Sequence, residues 1–138
     1  MFLLVRREAV EQVGLMDEDY FVYAEEADWC FRFWRAGWRC RFAPVARIIH
    51  RDGGSHSTKQ LSTRMFVQQQ KSLLIFHRKN RGWWSWAIVK TLFVLSMLPR
   101  YLVWRVRGVV ARDSRAAHRA RCARAALTFH LSGRLATQ

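Results

Sequence analysis

The stretch "EEADWCFR" places three carboxylates, Glu25, Glu26 and Asp28, within four positions of a chain whose formal net charge is +14. At a helix start carboxylates are favoured by the exposed amides and the positive end of the helix dipole, by about 0.3–1 kcal/mol each. Asp28 can also pair with Arg32 one turn later, for about 0.2–0.5 kcal/mol. At helical spacing Glu25, Asp28, Trp29 and Arg32 share a face, whereas Glu26 points elsewhere, toward Cys30 and Phe33. These effects account for Asp28. They account less well for Glu25 and Glu26, because adjacent like charges are a cost unless something outside the helix uses one of them.

The elements that would hold these acids are legible as patterns. A helix is expected over 24–36, with Gly37 where helices commonly end in a left-handed residue. Upstream, "FLLV" reads as a short buried strand, "RREAVEQVG" as a two-turn helix stopped by Gly14, and "LMDEDYFVY" as an acidic, aromatic loop. Downstream, "WRCRFAP" and "ARIIH" read as strands broken at Pro44, and "RDGGSHST" as a turn. Residues 59–79 are helical by pattern, with Leu61, Met65, Val67, Leu73, Leu74 and Ile75 forming an apolar side.

Charge divides the chain. Residues 1–28 carry eight acids against two arginines, whereas residues 29–138 carry 22 basic side chains against two acids. So basic a portion calls for an anionic partner: nucleic acid, anionic lipid or a phosphorylated substrate. After Gly82 the run "WWSWAIVKTLFVLSMLPRYLVW" is apolar over a length that could span a bilayer, though Lys90 and Pro99 weaken a span. Trp83, Trp84 and Trp86 beside Arg78, Lys79 and Arg81 suit an interfacial belt. An in-plane helix, a span and a core helix all remain open at this point. The basic, helical tail would be drawn to anionic lipid. The opening residues lack the pattern of a signal peptide. Cys30, Cys40 and Cys122 lack disulfide or zinc-ligand spacing and are expected as reduced, packed thiols.

From Leu3 to Ser55 the chain resembles bacterial family 2 glycosyltransferases, particularly the rhamnosyltransferase-like group. The resemblance rests on Asp17, Glu18, Tyr23, Glu25, Asp28, Arg32, Gly37, Pro44, His50, Gly54 and Ser55 at the family's spacing, and continues more loosely to Gly82. It implies an α/β fold, part of a Rossmann-like GT-A sandwich, over residues 1–82, the acceptor-side half. Residues 83–138 would follow as apolar and basic membrane-associated helices. It implies inverting transfer of a sugar from a nucleotide-sugar donor to an acceptor hydroxyl, for a cell-surface polysaccharide or glycolipid. The family's general base is the aspartate of its Glu-Asp pair, and Glu26 stands there, one methylene longer, with Glu25 beside it to orient or tune it. Asp28, Arg32 and Trp29 would support the acceptor side. His50, Gly53, Gly54 and Ser55 would contact the donor diphosphate or its divalent metal, Mg2+ or Mn2+, with His50 a possible ligand. A histidine closing a strand and a plain glycine turn explain those positions as well.

The donor half and its D-x-D metal motif have no counterpart before Leu3. The expectation is therefore an incomplete enzyme that would not turn over alone. It would sit at the cytoplasmic face of the bacterial inner membrane, peripheral or single-span, with a lipid-linked or glycan acceptor and an anionic membrane surface as partners and no nucleic acid. The competing reading is a non-catalytic membrane-bound remnant or interaction protein.

Overall fold

The structure, a computed structural model, describes residues 3–45, 47, 49 and 62–133. Its elements are five helices: α1 (Arg7–Val13), α2 (Glu25–Arg35), α3 (Thr63–Asn80), α4 (Gly82–Val110) and α5 (Ser114–Ser132). Each begins or ends where local chemistry dictates. Ser62 caps α3 by accepting from the Met65 amide, and Asp113 caps α5 by accepting from the Arg115 and Ala116 amides. α2 closes with Gly37 at φ 92°: the Gly37 amide donates to Trp34 O and the Trp38 amide to Phe33 O, which satisfies two last-turn carbonyls.

The expected α/β sandwich is not present. Among the described residues there is no strand, and the fold is all-helical. "FLLV" and "WRCRFAP" have strand-like composition, but a strand exists only as one member of a hydrogen-bonded pair. Among the described residues nothing lies across from them: Leu4, Phe42, Val45 and Ile49 are almost fully exposed. Apolar alternation without a partner leaves an irregular segment. Of "ARIIH", residues 46, 48 and 50 lie outside the described residues, as does "RDGGSHS".

The core belongs to α3, α4 and α5. Val67, Met97, Ala123, Ala125 and Ala126 are buried together, with Phe66, Tyr101, Leu127 and Phe129 packed against them. α4 and α5 form an antiparallel hairpin, as Gly108 beside Ala117 at one end and Phe93 stacked on His130 (5.2 Å) at the other attest. The small side chains of α5 allow the approach: a Cβ on Gly108 would stand 3.1 Å from the Ala117 backbone nitrogen. Polar pins join the layers, His130 Nε2 to Gln70 Oε1 at 2.7 Å and His77 Nδ1 to Ser85 Oγ at 2.8 Å. α4 runs on through Pro99 without a break. By length and composition α4 could cross a membrane. Its inner side is packed and its outer side bare, with Trp84, Ile88, Leu92, Leu95, Leu102 and Val106 all more than half exposed.

Candidate active site

The acids lie where the sequence places them, in the first turn of α2. What precedes them is unusual. Tyr23 (φ 68°) and Ala24 (φ 66°) both adopt the left-handed conformation, which costs a residue with a Cβ about 1–2 kcal/mol each. Ala24 is the N-cap and offers no side-chain oxygen. Strain of this kind persists only where the surroundings enforce it, and it clusters at functional sites.

Asp28 is the centre of that enforcement. It is 1% exposed and accepts from Tyr20 Oη (3.2 Å) and Asn80 Nδ2 (2.6 Å) at Oδ1, and from Arg32 Nε (2.8 Å) at Oδ2. Arg32 donates onward to the carbonyls of Val13 (3.1 Å) and Leu15 (2.8 Å), and Trp29 Nε1 donates to Gly14 O (2.8 Å). These three side chains thus tie the turn after α1 to α2 and to the last turn of α3. Burial and the Asp28 carboxylate push the Tyr20 phenol well above its usual pKa, so it stays a donor. Ser72 Oγ donates to Val22 O (2.7 Å), and Lys79 bridges Asp17 (2.5 Å) and Asp19, closing the loop over α3. That bridge holds the Asp17 carboxyl below its ordinary value.

Glu25 and Glu26 are used differently. One carboxylate oxygen of each, Oε2, is buried with no hydrogen-bond partner among the described residues. Buried polar atoms in native folds nearly always have a partner in protein, water or a bound group, so these two oxygens call for one. Cys30 lies next to this pair; burial, the Cys40 thiol and the Glu26 charge push its thiol up to about 11. No three ligand-type side chains converge into a metal cage among the described residues. His50, Gly53, Gly54 and Ser55 lie outside the described residues.

Sequence reasoning found the acids, Trp29 and the Asp28–Arg32 pair. It missed Tyr20 and Asn80, which meet Asp28 from 8 and 52 positions away, and the left-handed Tyr23 and Ala24. Asparagine ending a helix and alanine before one carry no local signal of either role.

Comparison with known proteins places this helix among glycosyltransferase sequences. The chain is 40% identical over 114 residues to the N-acetylglucosaminyl-diphospho-decaprenol L-rhamnosyltransferase of Mycobacterium tuberculosis, from two strains, a match covering 82% of this chain. It is 30% identical over 80 residues, 58% of this chain, to the rhamnosyltransferase WbbL of Escherichia coli. The matches span about a third of those relatives, 36% and 30% of their lengths. These likenesses support a glycosyltransferase family for the chain. No protein-family model matches it, and no solved structure does.

Proposed function

We propose that the chain is part of an inverting family 2 glycosyltransferase that moves a sugar, rhamnose by analogy with the relatives' names, from a nucleotide-sugar donor to an acceptor hydroxyl. The acceptor is a lipid-linked diphosphate sugar or a glycan, in cell-wall or cell-surface polysaccharide synthesis, at the cytoplasmic face of the inner membrane. The observation that carries this reading is the pair of buried, unpartnered carboxylate oxygens of Glu25 and Glu26 on a strained helix entry.

In this reading Glu26 takes the proton of the acceptor hydroxyl as its oxygen bonds to the anomeric carbon and the nucleoside diphosphate departs from the opposite face. Glu25 orients Glu26. Asp28, Arg32 and Trp29 position the helix start and touch neither substrate. The extra methylene of Glu26 relative to an aspartate moves the carboxylate by roughly 1 Å, a shift that matters for catalysis. His50, Gly53, Gly54 and Ser55 remain the proposed contacts for the donor diphosphate. The divalent metal, Mg2+ or Mn2+, is proposed for the full enzyme; no step here is routed through it.

The test joins this chain to the part of the M. tuberculosis relative that it does not cover and measures single-turnover sugar transfer. Glu26→Gln keeps size and hydrogen bonding but removes basicity, and should slow the chemical step by roughly 10²-fold or more. Full activity in Glu26→Gln would remove the base assignment, and absence of transfer in the unaltered joined chain would leave the non-catalytic, membrane-bound reading.

A further inference from the structure

We infer that the chain docks on an anionic bilayer through the outer side of α4, which lies in the plane of the membrane surface and does not cross it. The inference refines the membrane location proposed above and is independent of the transfer chemistry.

At 3.6 residues per turn, Trp84, Ile88, Leu92, Leu95, Leu102 and Val106 line one side of α4. All are between 54% and 75% exposed. Met97, Phe93 and Tyr101 occupy the opposite side, and Met97 is buried against α3 and α5. The bare row is continuous for about 33 Å at 1.5 Å per residue and contains no charged side chain. A contiguous, uncharged apolar strip rimmed by polar residues marks an interaction site.

The packing decides between lying and crossing. α5 is bound along α4 through Ala123, Ala126 and His130, so the two helices move as one body. α5 also exposes Arg121 and Arg124 away from α4 and Arg115 and Arg119 along its flank, where Arg119 stacks on the Trp104 ring of α4 at 4.6 Å. A crossing α4 would carry these guanidinium groups into hydrocarbon, which bilayers strongly resist. With α4 in the plane, the apolar row enters the acyl boundary and α5 stays in water, the arrangement of an interfacial amphipathic helix.

Charge and aromatics select lipid as the occupant. Trp83 and Trp84 pack edge to face at 4.6 Å at the start of the row and are exposed, as indoles of an interfacial belt are. Arg100, Arg105 and Arg107 stand around the row, and none has a carboxylate partner among the described residues. Unneutralised cations beside an apolar strip complement anionic headgroups.

The test uses the unaltered chain, sealed vesicles and flotation. The chain should float with phosphatidylglycerol–phosphatidylcholine vesicles, less with phosphatidylcholine alone, and less again at high salt. Leu95→Glu and Leu102→Glu, both at exposed positions, should each lower partitioning roughly tenfold at unchanged helicity. Trypsin added outside should cut the bound chain at arginines 112–124, because the α4–α5 turn stays on the side of addition. Protection of that turn would mean a crossing hairpin and overturn the inference. So would absence of flotation, or oligomers that Leu95→Glu dissolves in a chain that ignores vesicles, which would make the row a protein interface. Loss of transfer in Glu26→Gln with flotation intact, or the reverse, separates this inference from the enzymatic one.

Discussion

Replacing Asp28 with Asn tests whether the acids of α2 divide into a structural one and two chemical ones. The volume is unchanged, so no cavity forms. Oδ1 can still accept from Tyr20 and Asn80, but the new amide would face Arg32 Nε, a donor against a donor at 2.8 Å. Removing one partner of a buried ion pair costs about 3–5 kcal/mol. Here the Asp28 side chain is 2% exposed, but Arg32 is 27% exposed and keeps its bonds to Val13 and Leu15, so we expect about 2–4 kcal/mol. Against a total stability of about 5–15 kcal/mol this is a large fraction, readable as a Tm drop of about 10 °C by far-ultraviolet circular dichroism. Glu26→Gln is the control. Its Oε2 has no hydrogen-bond partner among the described residues to lose, so its stability should stay within about 0.5 kcal/mol of the parent. Equal losses in the two variants, or an Asp28→Asn chain within 1 kcal/mol of the parent (~1, the mean of point mutants), would refute the division.

Two further outcomes follow from the same structure. Burial, aided by Arg81 and Lys90 respectively, pushes His77 and His130 below their ordinary pKa, so as pH falls through about 6.5 the unfolded chain takes up protons first. Their contribution is whole above that value and declines below it; a Tm that is flat or rises from about pH 7.5 to 5.5 would contradict this. Ala24→Gly relieves a left-handed alanine and should raise the denaturation midpoint by an amount equivalent to roughly 0.5–1 kcal/mol, net of glycine's extra chain entropy; a fall would mean that φ 66° carries no strain.

Local chemistry was readable from the sequence and pairing was not. The Gly14 and Gly37 stops, the acidic first turn of α2 and the Asp28–Arg32 pair each depend on residues within a turn or so of one another, and all are where the pattern puts them. The described parts of "FLLV" and "WRCRFAP" are not strands, because their composition reports a surface suited to a neighbour and cannot say that none is present among the described residues. The amphipathicity of α4 was hidden in a run that looks uniformly apolar: Lys90 falls on the packed side, over the Trp86 ring at 5.0 Å, and the bare side emerges only once α3 and α5 are laid against the other. Of the site, the acids were visible, but the left-handed entry was not, since neither tyrosine nor alanine signals a positive φ, and the partners of Asp28, Tyr20 and Asn80, lie beyond its own helix.

The bond from Asn80 to Asp28 also sets a schedule. During synthesis α2 emerges 52 residues before its partner, a delay of roughly 3–10 s at 5–20 residues per second. Throughout that interval Asp28 and the loop before α2 lack two of their anchors, because Asn80 and Lys79 have yet to be made. The acidic corner is therefore finished only once the end of α3 has been made. A nascent chain stalled before residue 80 should expose Tyr20 and Asp28 to solvent and to protease.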